Sequence, residues 1–288
     1  MARTGTVAEA AGVLHVTPSA LTSRIKLLEE DLGIALFDRT GNRLKATDAG
    51  LEVIAAAARI DRGISDLTDT LEAMKGLHGG RVRLGAVSTA KYFAAQIIAA
   101  FLRQHEGIDL VLVIGNRAEI IKSLHDYEID MALMGRPPRD FGVESEPFGT
   151  HPHVIIAPPD HPMRRRRNIP LAELTSQKFL LREEGSGTRN IFDHLINQPG
   201  IRHPKDNLEM GSNETIKQAV MAGLGLSLIS AHTIASEVAG RRLAVLKVEG
   251  LPIKREWLVV RRSDRDLPAA GTALWAFIVK KGKSFLPS

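Results

Sequence analysis

Residues 16–33 read VTPSALTSRIKLLEEDLG, and this stretch decides the fold of the N-terminal part of the protein. Thr17 can cap a helix and Pro18 suits its first turn, so a helix is predicted to begin here. Gly33 is predicted to end it, because glycine readily adopts the left-handed conformation that closes helices. Apolar side chains recur every three or four residues in between and form one predicted stripe, at Leu21, Ile25, Leu28 and Leu32.

The flanking segments predict a second helix and a hairpin. Thr6 is placed to cap a short helix that precedes the stretch. After it, residues 34–37 and 43–46 read as two short strands joined by a Gly/Asn turn that carries basic residues. Together these elements predict a winged helical domain over residues 1–47.

A long helix is predicted over residues 48–78, because the segment contains no proline and repeats its apolar residues. Their spacing of four, three, four and three is the heptad pattern of a coiled coil, at Ile60, Ile64, Leu67, Leu71 and Met74. The stripe is narrow and its flanks are mostly polar. We therefore predict a dimerising linker helix, in preference to an amphipathic helix that lies on its own domain.

From residue 81 onward, short apolar strands alternate with amphipathic helices, which predicts an α/β fold with mainly parallel strands. A proline-rich stretch at 158–162 interrupts this pattern halfway. We predict a domain over residues 81–288 in which two strands cross between two lobes and the last helix returns to the first lobe. Lobe I comprises 81–157 and 259–288, and lobe II comprises 158–258.

The composition is typical of a soluble globular protein, since 44% of the 288 residues are hydrophobic and 25% are charged. The absence of cysteine excludes disulfides, thiolate metal sites and cysteine nucleophiles. No apolar stretch has the length of a membrane span or the form of a signal peptide, so a cytoplasmic location is expected. The net charge of +5 suits an anionic partner, but residues 1–75 hold 9 Lys or Arg against 11 Asp or Glu. Bulk charge therefore does not locate a DNA-binding face.

Several N-terminal segments together resemble the winged helix-turn-helix of the LysR-type transcriptional regulators. These segments are 7–11 (VAEAA), 14–25 (LHVTPSALTSRI), 28–33 (LEEDLG) and 36–40 (LFDRT). The wing, the entry to the linker helix and the two-lobed domain follow in the family's order, over nearly the whole chain. The resemblance implies an effector domain like the periplasmic binding proteins, and a dimer or tetramer as the assembly.

The same resemblance implies that the helix beginning at Thr17 enters promoter DNA. Its short polar side chains would approach base edges and phosphates, and basic residues of the helix and the wing would contact the backbone or the minor groove. Taken alone, this face reads as a solvated helix surface, and only the wing and the linker helix favour DNA. The predicted DNA-contacting residues are Thr17, Pro18, Ser19, Thr22, Ser23, Arg24, Lys26, Arg39 and Arg43.

One feature departs from the family pattern. Members normally begin with another helix, ahead of the segment that matches residues 2–7, and that helix covers the back of the recognition helix. Either the start of translation has been assigned too late or the chain is truly truncated. In the second case we expect poor DNA binding, because Leu21, Ile25 and Leu28 would lose apolar cover.

Within the family, further segments resemble the CbbR-type regulators of the Calvin cycle. These are 87–93 (VSTAKYF), 115–117 (GNR), 134–138 (MGRPP), 151–153 (HPH), 156–162 (IAPPDHP) and 182–189 (REEGSGTR). The resemblance implies control of carbon-fixation genes. It also implies an anionic effector, such as a sugar phosphate or the reduced nicotinamide nucleotide NADPH, and no other cofactor.

Three predicted helix N-termini follow strand ends, at 88–89, 186–188 and 213–215. Free backbone N–H groups and the positive end of the helix dipole make such positions anion sites. Each one taken singly reads as an ordinary helix cap, but the group in this fold favours ligand binding. With the basic side chains nearby, the predicted effector-binding residues are Ser88, Thr89, Lys91, Arg136, Arg182, Ser186, Thr188, Arg189 and Asn213.

The remaining motifs favour no other activity. His151, His153 and His161 are interpreted as structural histidines and not as a metal site, because prolines intervene and no carboxylate shares a helix with them. The arginine run at 164–167 is interpreted as a solvated loop. A solute-binding protein or a small-molecule enzyme on the same scaffold is the alternative. The first would need an export signal and the second an acid–base or nucleophile arrangement, and neither is evident.

Overall fold

The fold is mixed α/β, and the chain divides into two compact units, Met1–Ser65 and Asp66–Ser288. Each unit has an apolar core of its own. The computed structural model describes residues 5–40, 43–74, 79–201, 203–204 and 206–287.

The first unit begins with two helices that are capped as the sequence predicts. Its elements are α1 (Val7–Val13), α2 (Pro18–Leu32), β1 (Phe37–Thr40), β2 (Arg43–Ala46) and the start of α3 (Asp48–Met74). Oγ1 of Thr6 accepts a hydrogen bond from the backbone N–H of Glu9, and Oγ1 of Thr17 accepts one from Ala20, both at 3.3 Å. Gly33 ends α2 in the left-handed conformation, with φ of 67°.

The hairpin begins later than predicted, so the expected strand at 34–37 was wrong. β1 starts only at Phe37 and pairs antiparallel with β2. The carboxylate of Glu29 accepts hydrogen bonds from the backbone N–H groups of Leu36 at 2.7 Å and of Phe37 at 3.2 Å. Because these bonds tie the connection to α2, it stays outside the ladder. Residues 41–42, within the predicted turn, lie outside the described residues.

The apolar stripe of α2 is only partly buried in this unit. Leu21 packs against Ala10 and Ala11 of α1 and is 8% exposed. Leu28 and Leu32 are 38% and 50% exposed. The first turns of α2 are therefore fixed by α1, whereas its last turns present an apolar surface.

Helix α3 exposes the apolar residues of the predicted dimer seam. The exposed fractions are 66% for Ile60, 62% for Ile64, 59% for Leu67 and 48% for Leu71, and the side chain of Met74 lies outside the described residues. A helix that lies on its own domain would bury this stripe. The described side chains therefore do not support that alternative.

The second unit contains a sheet with the strand order β10, β6, β11, β5, β3, β4, and β9 also pairs with β6. The strands are β3 (Gly80–Val87), β4 (Ile108–Gly115), β5 (Met131–Met134), β6 (Val143–Ala157), β7 (Phe179–Arg182), β8 (Asn207–Met210), β9 (Ser227–Ser230), β10 (Ala244–Leu246) and β11 (Ile253–Arg262). The helices are α4 (Lys91–Leu102), α5 (Arg117–His125), α6 (Leu171–Leu174), α7 (Gly187–Ile196), α8 (Asn213–Met221), α9 (Ala235–Ala239) and α10 (Ala269–Lys281). Among the described helices, none combines the length and the apolar character that crossing a bilayer requires.

Among the described strands of the second unit, β3 pairs parallel with β4 and β5, and β7 with β8, whereas the other strand pairs are antiparallel, so the expectation of mainly parallel strands was wrong. The reason is that β6 and β11 pair antiparallel over a long stretch and carry the chain between the lobes. β11 pairs with β5 in lobe I, while the end of β6 pairs with β9 and β10 in lobe II. The crossing strands predicted from the sequence are thus β6 and β11.

Each lobe packs around its own aromatic core. Phe93 and Phe101 are buried in the core of lobe I, together with Trp257 of the crossing strand β11, which falls on the lobe II side of the predicted boundary. Phe179 and Phe192 are buried in lobe II, with ring centroids 5.1 Å apart. The space between the lobes is therefore bounded by two well-packed bodies and by the strands that join them.

Candidate functional site

The first turns of α2 present a polar face. The hydroxyl of Thr22 donates to the carbonyl oxygen of Pro18 at 2.9 Å, and the hydroxyl oxygens of Thr17 and Ser19 lie 3.2 Å apart. Thr22 is partly buried, and the exposed residues are Thr17, Pro18, Ser19, Ser23, Arg24 and Lys26. Small hydroxyl groups beside two cations suit a close approach to a nucleic-acid groove.

The wing brings two more basic residues into the same unit. Arg39 lies in β1, paired with Leu44, and Arg43 lies in β2, paired with Thr40. The side chains of Arg39 and Arg43 lie outside the described residues. Their contact with DNA therefore stays a prediction.

A cavity of about 750 Å³ opens between the two lobes of the second unit. Its walls are the strand ends and helix starts of both lobes, together with β6 and β11. This volume falls in the range of small-molecule sites, roughly 300 to 1,000 Å³. Six of the nine predicted effector residues line the cavity: Ser88, Thr89, Arg136, Arg182, Ser186 and Thr188.

Two predicted effector residues are engaged elsewhere, and the prediction that they face the cavity was wrong. Nζ of Lys91 lies 2.6 Å from Oε2 of Glu214. Nε of Arg189 lies 3.0 Å from the carboxylate of Asp193, and its Nη1 lies 3.0 Å from Glu209. Both cations therefore form ion pairs with carboxylates of lobe II.

Arg182 is held from several sides. Its Nη1 donates to Oδ1 of Asn213 at 2.6 Å, its Nη2 donates to Oγ of Ser88 at 3.2 Å, and Glu183 accepts two further bonds at 2.7 Å. Asn213 does not line the cavity, but its side-chain oxygen holds the guanidinium of Arg182 in position there. The prediction that Asn213 caps α8 was wrong, because Ser212 is the cap of that helix.

The N-termini of α5 and α7 meet at the cavity. Ser186 occupies the N-cap position of α7 without a capping hydrogen bond from its side chain, and Arg117 is the first residue of α5. The backbone N–H of Ala118 donates to the carbonyl oxygen of Gly185 at 3.2 Å. Gly185 has φ of 82°, and a Cβ there would lie 3.0 Å from Cβ of Ala118, so this approach requires glycine. The helix itself is predicted by the sequence, but its N-terminus is not among the predicted anion sites, although its cap, Asn116, is a recognisable helix start.

The lining carries an excess of positive charge. One carboxylate, that of Asp140, is present among the described lining residues, against five arginines: Arg117, Arg136, Arg139, Arg182 and Arg255. Glu183 offsets the charge of Arg182. Burial, together with the neighbouring Arg136, lowers the pKa of Arg117. Such a cavity attracts an anion, and Arg117, Arg139 and Arg255 are contributors that the sequence reasoning missed.

Two histidines that were interpreted as structural also line this cavity. His151 and His153 are 4% and 1% exposed. Burial lowers the pKa of His151 well below its ordinary value and that of His153 to about 4. His161 lies elsewhere, with its Nε2 3.0 Å from Oε1 of Gln177. The part of the chain that the structure describes contains no group of three or more His, Asp or Glu placed to hold a metal ion.

Two family models match the chain. The model described as bacterial regulatory helix-turn-helix protein, lysR family, matches residues 1–51, and the model described as LysR substrate binding domain matches residues 75–283. An HTH-type transcriptional regulator CbbR from Xanthobacter flavus is 48% identical over 287 residues, which cover 99% of this chain and 86% of that protein. A RuBisCO operon transcriptional regulator from Allochromatium vinosum is 42% identical over 94% of this chain and 90% of its own length.

Solved structures support the fold of both parts. The regulatory domain of CcmR from Synechocystis, in complex with 2-PG, is 34% identical and superposes with a TM-score of 0.66 over 70% of this chain and 96% of that chain. Full-length CbnR in complex with its target DNA is 21% identical and superposes with a TM-score of 0.65 over 97% of this chain and 95% of that chain. At that identity the second likeness concerns the fold alone.

Proposed function

Since the chain belongs to the LysR family of transcriptional regulators, we propose that it binds promoter DNA through α2 and the wing and responds to an anion in the cavity between its lobes. The helix-turn-helix match disfavours the solute-binding alternative. We assign no catalytic role, because its relatives are named as transcriptional regulators. A cytoplasmic location is part of the same proposal, since promoter DNA is found there.

The proposed targets are carbon-fixation genes. Support comes from relatives named as CbbR and as a regulator of the RuBisCO operon, which are 42% to 48% identical over nearly the whole chain. The test is binding of the purified protein to the DNA upstream of a RuBisCO operon, compared with an unrelated promoter of equal length. Equal affinity for both fragments would contradict the assignment.

The proposed effector is a phosphorylated metabolite or NADPH. The observation that carries this proposal is the group of cavity arginines that form no ion pair with the described residues, namely Arg117, Arg136, Arg139 and Arg255. The 2-PG complex of the Synechocystis domain adds support. Calorimetric titration with 2-PG, a sugar bisphosphate, NADPH and neutral benzyl alcohol tests it. Binding of the neutral compound alone would overturn the anion assignment.

Self-association through α3 is proposed from its exposed stripe. Apolar residues at heptad spacing with exposed fractions of 48% or more are suited to burial against a second copy. Sedimentation analysis should find a dimer or a tetramer, whereas a monomer at all concentrations would rule this role out.

A further inference from the structure

His151 and His153 stand side by side on β6, where this crossing strand borders the cavity. Their ring centroids are 4.2 Å apart. His151 also stacks on Trp257 of β11, with centroids 3.7 Å apart and an interplanar angle of 15°. The buried indole therefore holds the imidazole of His151 in place, and His153 packs against His151.

Three of the four ring nitrogens of this pair are buried without a hydrogen-bond partner in the part of the chain that the structure describes. Nδ1 and Nε2 of His151 and Nδ1 of His153 are buried and make no hydrogen bond there. A Cβ on Gly135 would lie 2.9 Å from Nδ1 of His151, so the close approach of the backbone to this imidazole requires glycine. A buried polar atom without a partner is unfavourable, so these unpaired nitrogens need an explanation beyond the packing of the protein.

The surroundings of the pair are almost all positive or neutral. Trp257 donates a hydrogen bond from Nε1 to Nδ1 of His232 at 2.9 Å, which holds that third imidazole as an acceptor. The charged and titratable side chains that share the described lining with the pair are Arg255 from β11, Arg136 and Arg139 after β5, Arg117 from α5, Arg182 from β7, His194 from α7, and one carboxylate, that of Asp140. Burial above all lowers the pKa of both histidines, helped by the neighbouring His232 and, for His153, by Arg255, so both are neutral in the free protein.

We propose that the pair formed by His151 and His153 takes up one proton when a multiply charged anion enters the cavity. The proton comes from solvent and adds to an imidazole nitrogen, giving an imidazolium ring whose positive charge lies in the wall of the cavity. This inference rests on the proposed anion site. An arginine is always charged, but a buried histidine becomes charged only when the ligand brings the opposite charge. The site therefore adds positive charge in response to the ligand.

This proton makes anion binding depend on pH. In the free protein the histidines bind a proton only at low pH, and in the complex they bind it at higher pH. Between the pKa of the pair in the free protein and its pKa in the complex, affinity for the anion rises as the pH falls, by up to about tenfold per pH unit for one proton.

Sulfate is the probe of choice, because it stays a dianion across this range and brings no proton of its own. Calorimetry at about pH 6.5, close to the ordinary pKa of histidine, is run in two buffers of different ionisation enthalpy. We expect uptake of about one proton per sulfate. Sulfate binding without proton uptake would overturn the inference and leave the anion site intact, whereas no sulfate binding would overturn the anion site itself.

Two variants locate the proton. The double variant H151Q/H153Q should take up no proton, while H105Q should behave as the native protein. His105 is a matched control, because it also stacks on an aromatic ring, that of Phe101 at 4.4 Å, but does not line the cavity. Uptake that persists in the double variant would refute the role of the pair.

Fluorescence provides a second measurement that needs no histidine substitution. The protein has two tryptophans, so W275F leaves Trp257 as the only indole. A charged imidazole stacked on an indole quenches its emission. We expect acid quenching of Trp257 to begin at a higher pH when sulfate is present. A quenching curve that sulfate does not shift would contradict the proposal even if the double variant fails to fold.

Discussion

Arg182 of lobe II donates a hydrogen bond from Nη2 to Oγ of Ser88 in lobe I, at 3.2 Å. Both residues line the cavity, so this bond joins the two lobes at the place where a ligand would sit. Arg182 is only 3% exposed, so a change in the separation of the lobes would disturb a buried hydrogen bond at the edge of the cavity.

Ser88→Ala should weaken effector binding with little loss of stability. The variant removes one acceptor of Arg182, which keeps its bonds to Glu183 and Asn213. Hydrogen bonds to charged groups contribute about 1.5 to 3 kcal/mol, so we expect a roughly tenfold rise in Kd or more. Calorimetry and thermal unfolding measure the two effects. Ser123→Ala, which removes a surface hydroxyl bonded to Glu128, is the control and should change neither.

Arg136→Ala should weaken anion binding without changing stability, whereas Arg189→Ala should lower stability without changing anion binding. Arg136 lines the cavity without an ion pair in the described part of the chain, so its loss should weaken anion binding by roughly ten- to a hundredfold at unchanged stability. Arg189 pairs with Asp193 and Glu209 outside the lining, so its loss should lower stability by about 1 kcal/mol and leave Kd nearly unchanged. Titration and urea unfolding distinguish the two. A large rise in Kd for Arg189→Ala would restore this residue to the site.

Gly185→Ala should destabilise the wall formed by α5 and α7. Residue 185 has a left-handed backbone, which alanine adopts at a cost, and the added Cβ would also approach Ala118. We therefore expect a loss of about 1 to 2 kcal/mol in the free energy of unfolding. Gly211→Ala is the matched control, because nothing lies within 4 Å of a Cβ there and its φ is not positive. Equal stability of the two variants would show that the contact at Gly185 has no energetic role.

Ser19→Glu should abolish specific DNA binding, because it places a negative charge on the exposed polar face of α2. Lys26→Ala should weaken binding and reduce the dependence of log K on log salt by about one unit if Lys26 meets a phosphate. Fluorescence anisotropy with labelled promoter DNA at several salt concentrations measures both. Lys122→Ala in the second unit serves as the control. Unchanged affinity in the first two variants would exclude this face from the interface.

Leu67→Glu should dissociate the assembly. Leu67 is 59% exposed in the seam of α3, and a carboxylate at that position cannot be buried against a second helix without a large desolvation cost. Leu224→Glu is the control, since Leu224 is 42% exposed but lies outside the seam. Sedimentation velocity should show a smaller species for the first variant only, and the same species for both would place the interface elsewhere.

The sequence by itself determined the local structure of this protein. Thr6 and Thr17 cap α1 and α2, Gly33 ends α2, and the heptad spacing marks the exposed stripe of α3. Such features depend on the conformational preferences of a few neighbouring residues, so they can be read along the chain. The two-lobed fold followed from the alternation of strands and helices for the same reason.

Only the tertiary structure decided which polar side chains share a site. Arg117 and Arg189 both lie at the start of a helix, yet Arg117 lines the cavity and Arg189 does not. Glu209, twenty residues further along the chain, helps to draw Arg189 away. The alternation of a strand places His151 and His153 on one face, but only the pairing of β6 with β11 brings His151 onto Trp257. Contacts between distant segments depend on how the chain packs, and spacing along the sequence does not contain that information.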